Sequence, residues 1–124
     1  MIEDAQIRPV IWVASSQRDF RAFPEAVKSE MGYALFVAQC GGRHRKVKTL
    51  KGYGGGSVVE IVEDHDGETF RTVYTVRFAS AVLHAFQKKS KKGIATPQAD
   101  LRLIDQRLRG AERLHEEMND DQQD

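Results

Sequence analysis

At 124 residues, the chain can bury roughly two thirds of the surface it exposes when unfolded, so one core without a disulfide or metal staple is expected. Its 19 Lys and Arg against 18 Asp and Glu argue against a general nucleic-acid coat, and no apolar run approaches the roughly 20 residues of a membrane helix. The single cysteine, Cys40, cannot form an internal bridge and no secretory leader opens the chain, so a reducing cytoplasm is expected.

In chain order, the apolar run Val10 to Ala14 predicts a buried strand, and Ser15 or Ser16 could cap a first helix containing Phe20 and Phe23. Pro24 suits the first turn of a second helix, whose Val27, Met31, Leu35 and Ala38 share one face and which Gly41-Gly42 ends. Gly32 inside this helix suggests close packing or a break. Three runs then predict an antiparallel meander: Val58 to Val62, Phe70 to Phe78 and Ala81 to Gln87, with turns at Asp64 to Gly67 and Ala79-Ser80.

Alternation in the middle strand sends Phe70, Thr72, Tyr74, Val76 and Phe78 toward the helices and Arg71, Val73, Thr75 and Arg77 the other way. That second face is expected to be open, which makes Arg71 and Arg77 reachable. Thr96-Pro97 opens a last helix with Leu101, Ile104, Leu108 and Ala111 on one face. The predicted fold is α+β, in the order β-α-α-β-β-β-α, with helices on one face of a small antiparallel sheet. Residues 1–115 form the domain, and 116–124 are an acidic tail expected to be disordered.

Charge is segregated along the sequence. From Arg43 to Pro97 there are 11 basic and 5 acidic residues, while the flanks hold 8 basic and 13 acidic ones, so a local field can gather phosphates without a large net charge. The cations cluster as Arg43, Arg45 and Lys46, as Lys48 and Lys51 beside Gly54-Gly55-Gly56, and as Lys88, Lys89, Lys91 and Lys92 after the last strand. The bland alternative is that such lysines only solvate loops and strand ends. The glycines allow close backbone approach or simply make a turn, and no GKS or GKT follows them to complete a nucleotide-binding loop. His84, in the apolar run of the last strand, is either a proton-transfer group or a hydrogen-bonded core residue. Phe86 either stacks a base or packs in the core. Asp64, His65 and Asp66 form an ordinary turn sequence, so neither metal nor cofactor is expected.

The succession W-x-A-S-S, K-T-L-K-G-Y-G-G-G, V-V-E-I, F-R-T-V-Y-T-V, L-H-A-F-Q-K-K-S and T-P closely resembles the phage Gp49-like branch of the HigB/RelE/ParE toxin superfamily, over about Val10 to Arg113. The resemblance implies the toxin of a type II toxin–antitoxin operon, neutralised by a HigA-like helix-turn-helix antitoxin and touching operator DNA only through it. Relatives cleave mRNA in the ribosomal A site without metal, whereas the ParE branch inhibits DNA gyrase. A catalytically inactive, nucleic-acid-binding regulator is the third reading.

Metal-free RNA cleavage needs the 2′-hydroxyl deprotonated, the phosphorane stabilised and the leaving 5′-oxygen protonated. The resemblance matches Arg71 to a central-strand phosphate ligand, Lys48 and Lys51 to a basic pair, and the Lys88-Lys89 end of the last strand to the position of a catalytic basic residue, with Lys88 the expected electrostatic partner and Lys89 a phosphate anchor. His84 completes the expected catalytic set as acid or base. Arg43, Arg45, Lys46, Arg77, Phe86, Lys89, Lys91 and Lys92 are the expected RNA contacts. The terminal catalytic tyrosine of some relatives has no match here.

Overall fold

The computed structural model describes residues 7–53, 57–77, 80–88 and 96–122. Its elements are β1 (Val10–Trp12), α1 (Ser16–Arg21), α2 (Glu25–Gln39), β2 (Val47–Thr49), β3 (Val58–His65), β4 (Glu68–Thr75), β5 (Ser80–Lys88) and α3 (Gln98–Gln122). The α+β class and the expected succession hold, with one strand added. β2 forms where only a basic loop is expected, because Val47 finds a buried place and the strand pairs antiparallel with β3.

The sheet order is β1-β5-β4-β3-β2. β2 to β5 form an antiparallel meander, but β1 joins β5 in parallel, so the sheet is mixed. The β3–β4 hairpin closes through Asp66 and Gly67, with φ of 51° and 80°. Both values suit the two-residue turn whose twist matches the flanking strands, and Asp-Gly is among its preferred sequences.

α2 buries Val27, Met31, Ala34, Leu35 and Ala38 against the sheet. Pro24 is its N-cap, with φ −56° and ψ 150°. At the other end Gly41 takes φ +88°. The amides of Gly41 and Gly42 return to the carbonyls of Ala38 and Val37 at 3.0 and 2.9 Å, a double closure that satisfies carbonyls the helix leaves open.

Each face of the sheet has its own core. Phe70, Tyr74, Val82 and Ala85 pack with Phe23 and Met31 on the α1/α2 side. Val58, Val73, Ala81 and Leu83 pack with Ile104 and Ala111 on the other. The expected open face is therefore covered over part of its area by α3, whose apolar stripe buries there. Full burial of Leu83 and Ile104 stabilises the pairing by about 1.5–3 kcal/mol each. β4 also ends at Thr75, which leaves Val76 exposed rather than in the core; Phe78 lies outside the described residues.

α3 continues to Gln122. Among the described residues, no helix is long and apolar enough to cross a membrane.

Gly32 neither breaks α2 nor packs closely, since a Cβ there would meet nothing within 4 Å. Gly32→Ala should stabilise the protein by about 1 kcal/mol through lower backbone entropy of the unfolded chain. A raised urea midpoint with unchanged slope is the expected result.

Candidate functional site

On the α3 face, strand alternation places Lys48 opposite Glu60 and Arg71 opposite Val62. Glu60 and Arg71 are thus diagonal neighbours on one face, a spacing long side chains can bridge. Arg71 Nη1 donates to Glu60 Oε1 at 2.8 Å, with only 5% of Arg71 and 6% of Glu60 exposed. Thr96, just before α3, sits against both. Its Oγ1 accepts from Arg71 Nη1 and donates to Glu60 Oε2, each at 3.5 Å.

α3 does not reach the β2 edge of this face. The uncovered part is a concavity of about 390 Å³ lined by Lys48, Thr49, Leu50, Lys51, Glu60, Arg71, Thr96 and Leu101. Lys48 and Lys51 are exposed at its rim while the ion pair is buried among its lining. Gly52, with φ +95°, turns the chain beyond Lys51. Tyr53 then donates to Asp105 of α3, which ties the loop to the helix. Burial, reinforced by Asp105, pushes the Tyr53 hydroxyl well above its ordinary range, so it stays a donor.

Three expected site residues, Lys48, Lys51 and Arg71, therefore meet in one place. Arg71 is not on an open face as expected: it is buried and held by Glu60 and Thr96. The residue missed was Glu60. Its signal is a lone carboxylate in the apolar run Val58 to Val62, which must find a partner if the strand is buried.

His84 is not among the residues lining the concavity. A register shift between Val73 and Tyr74 turns both Leu83 and His84 toward the α3 side, and His84 is buried there. Its Nε2 lies 2.7 Å from Asp100 Oδ1 and its Nδ1 lies 3.2 Å from Arg107 Nη1. A guanidinium can only donate, so Nδ1 accepts and Nε2 carries the hydrogen given to Asp100. Arg107 also donates to the Leu83 carbonyl and to Ser15 Oγ, both at 3.0 Å. Ser15 passes its own hydrogen to Asp19 at 2.8 Å. This chain fastens α3 to β5 and to the start of α1, and Phe86 stacks on the imidazole with 4.7 Å between centroids. Of the two readings of His84, the geometry favours the hydrogen-bonded core residue.

Of the other expected cations, those among the described residues do not line the concavity. Lys46 binds Glu63 at 2.7 Å and Glu30 at 3.6 Å, and the Glu63 hydrogen bond raises its pKa. Arg43 and Arg45 are exposed at the β2 edge, and Arg77 is exposed beyond the end of β4. Lys88 ends β5, its backbone opposite Thr69. Lys89, Lys91, Lys92 and the run Gly54 to Gly56 lie outside the described residues. Tyr74 packs in the α1/α2 core, as its face predicts, and burial raises its pKa.

The model of the phage-derived protein Gp49-like family (DUF891) matches residues 18–109. The chain belongs to this family. It is a RelE/HigB-like toxin family, and the matched span contains every residue lining the concavity. No curated protein and no solved structure matches the chain. For this Gp49-like chain, toxin-like character is thus established at the level of the family.

Arg71→Glu should not be the harmless surface reversal that an open face would allow. It sets two carboxylates in one buried site and should cost about 3–5 kcal/mol. The charge swap Glu60→Arg with Arg71→Glu should regain part of that loss. Chemical denaturation of the three proteins checks both, and an unchanged midpoint for the single reversal would show the pair to be solvated.

Proposed function

We propose that this Gp49-like chain is the toxin of a type II toxin–antitoxin pair, a metal-independent endonuclease that cuts mRNA on the ribosome in the Lys48–Lys51–Glu60–Arg71 concavity. The observation that carries the proposal is the convergence of two exposed ammonium groups with a buried carboxylate–guanidinium pair in one cleft. Such a cleft suits a phosphodiester with a neighbouring hydroxyl, because the same space offers charge for the phosphorane and an acceptor for the proton.

In the proposed step, Glu60 takes the 2′-hydroxyl proton. Oε2 is the freer oxygen, since Oε1 is held by Arg71 at 2.8 Å and Oε2 receives only the longer 3.5 Å contact from Thr96. The 2′-oxygen bonds to phosphorus and the bond from phosphorus to the 5′-oxygen breaks. An ammonium proton from Lys48 or Lys51 goes to that 5′-oxygen. The products are a 2′,3′-cyclic phosphate and a 5′-hydroxyl end, while Lys48, Lys51 and Arg71 stabilise the phosphorane. In place of the expected acid–base role, His84 holds α3 over the sheet. Lys88, Lys89, Lys91 and Lys92 would carry the RNA or ribosomal backbone beyond the cleft, with Arg43, Arg45, Lys46 and Arg77 as outer contacts. A HigA-like antitoxin would neutralise the protein and mediate any operator binding.

One observation favours a non-nuclease toxin acting on gyrase: His84 and Arg71 are both already engaged within the protein. Transcript mapping separates the two. Induced expression should arrest translation and leave discrete 5′ ends in ribosome-bound transcripts. Glu60→Gln, which can still accept from Arg71, should cut cleavage by about 10²-fold or more. Full growth arrest with intact transcripts and lost supercoiling would reject the nuclease.

A further inference from the structure

The solvent face of the C-terminal half of α2 is unusual for a surface helix, whose outer side is ordinarily charged or polar. No charged residue occurs from Met31 to Gly42, and Tyr33 and Phe36 stand 58% and 46% exposed at helical spacing on one face. Scattered exposed apolar residues mean little singly. Here, however, the chain passes directly from this face into Arg43, His44, Arg45 and Lys46. Arg43 and Arg45 are exposed, and the Tyr33 and His44 rings meet edge-on at 5.5 Å. The nearby carboxylate, Glu30, is offset by Lys46 and lies against His44, each at 3.6 Å.

The same loop leads to the cleft. Arg43 Nη2 donates to Thr49 Oγ1 at 2.9 Å, and Thr49 lines the concavity. β2 is the edge strand between them. We infer that single-stranded RNA leaving the concavity wraps around the β2 edge, runs past Arg43 and Arg45, and stacks bases on Tyr33 and Phe36. The inference rests on the RNA-cleaving function proposed above and adds a second, sequence-tolerant subsite to it. Cations beside aromatic faces are the combination that holds an unpaired strand, since every base offers a face to stack while the arginines follow the phosphates.

The test uses fluorescence anisotropy of the full chain with two single-stranded RNAs carrying 2′-deoxy substitutions to block cleavage. One is about four nucleotides long, the other about twelve, the range over which such sites act. The long RNA should bind about tenfold or more tighter than the short one. Tyr33→Ala with Phe36→Ala should remove that advantage and leave the short RNA unchanged, whereas Tyr33→Trp should preserve it. Lys48→Ala with Lys51→Ala should weaken both. If the lysine variant weakens both RNAs but the aromatic variant binds the long one as wild type does, the subsite is overturned and the cleft stands. If the aromatic variant keeps RNA affinity but loses self-association in sedimentation, the patch is a protein interface. If wild type binds neither RNA, the proposed function fails and takes the subsite with it.

Discussion

The buried pair of Arg71 and Glu60 is the constraint around which the α3 side of the sheet is arranged. Placing two charges where only 5% and 6% of the residues remain exposed is costly unless geometry and further hydrogen bonds repay the desolvation. The 2.8 Å contact and the bracketing Thr96 hydroxyl meet that demand. They do so only while β3 and β4 keep their register and α3 begins where it does. A buried pair is weak evidence for stability by itself. Here it fixes a carboxylate beside a cationic rim, an arrangement with chemical use.

α3 is held down by both kinds of force. Ile104 and Ala111 bury against Val73 and Leu83, which supplies undirected stabilisation. The chain from Asp100 through His84 and Arg107 to Ser15 and Asp19 sets the direction, because hydrogen bonds are directional and the imidazole tautomer is decided by its neighbours. With Tyr53 tied to Asp105, the helix is also located from the loop after β2. The cleft is what remains of the face that α3 leaves uncovered near β2.

Much of this was legible in the residues. Period-two alternation in β4 separates Phe70, Thr72 and Tyr74 from Arg71, Val73 and Thr75 correctly, and the helical stripes of α2 and α3 name their buried positions. What alternation cannot say is whether a face is open. Val58, Val73 and the stripe of α3 all required cover, and each could have found the other. The shift at Val73/Tyr74 was invisible because an inserted residue leaves an apolar run looking regular, yet it moves Leu83 to the same side as His84. β2 was missed because three residues with two polar ones carry no periodic signal. Glu60 carries a weak signal because a charge in a strand reads as exposed unless a buried partner faces it, and that partner, Arg71, lies on another strand.

The family match and the cleft bear on function from different directions. The first says what class of protein this is, and the second says where a phosphodiester could be held. The most direct measurement is nuclear magnetic resonance titration of the full chain with a short RNA blocked at the reacting 2′-position. Shifts centred on Lys48, Lys51, Glu60, Arg71 and Thr96 are the predicted result. Perturbation confined to the far half of α3, with those five residues unmoved, would contradict it.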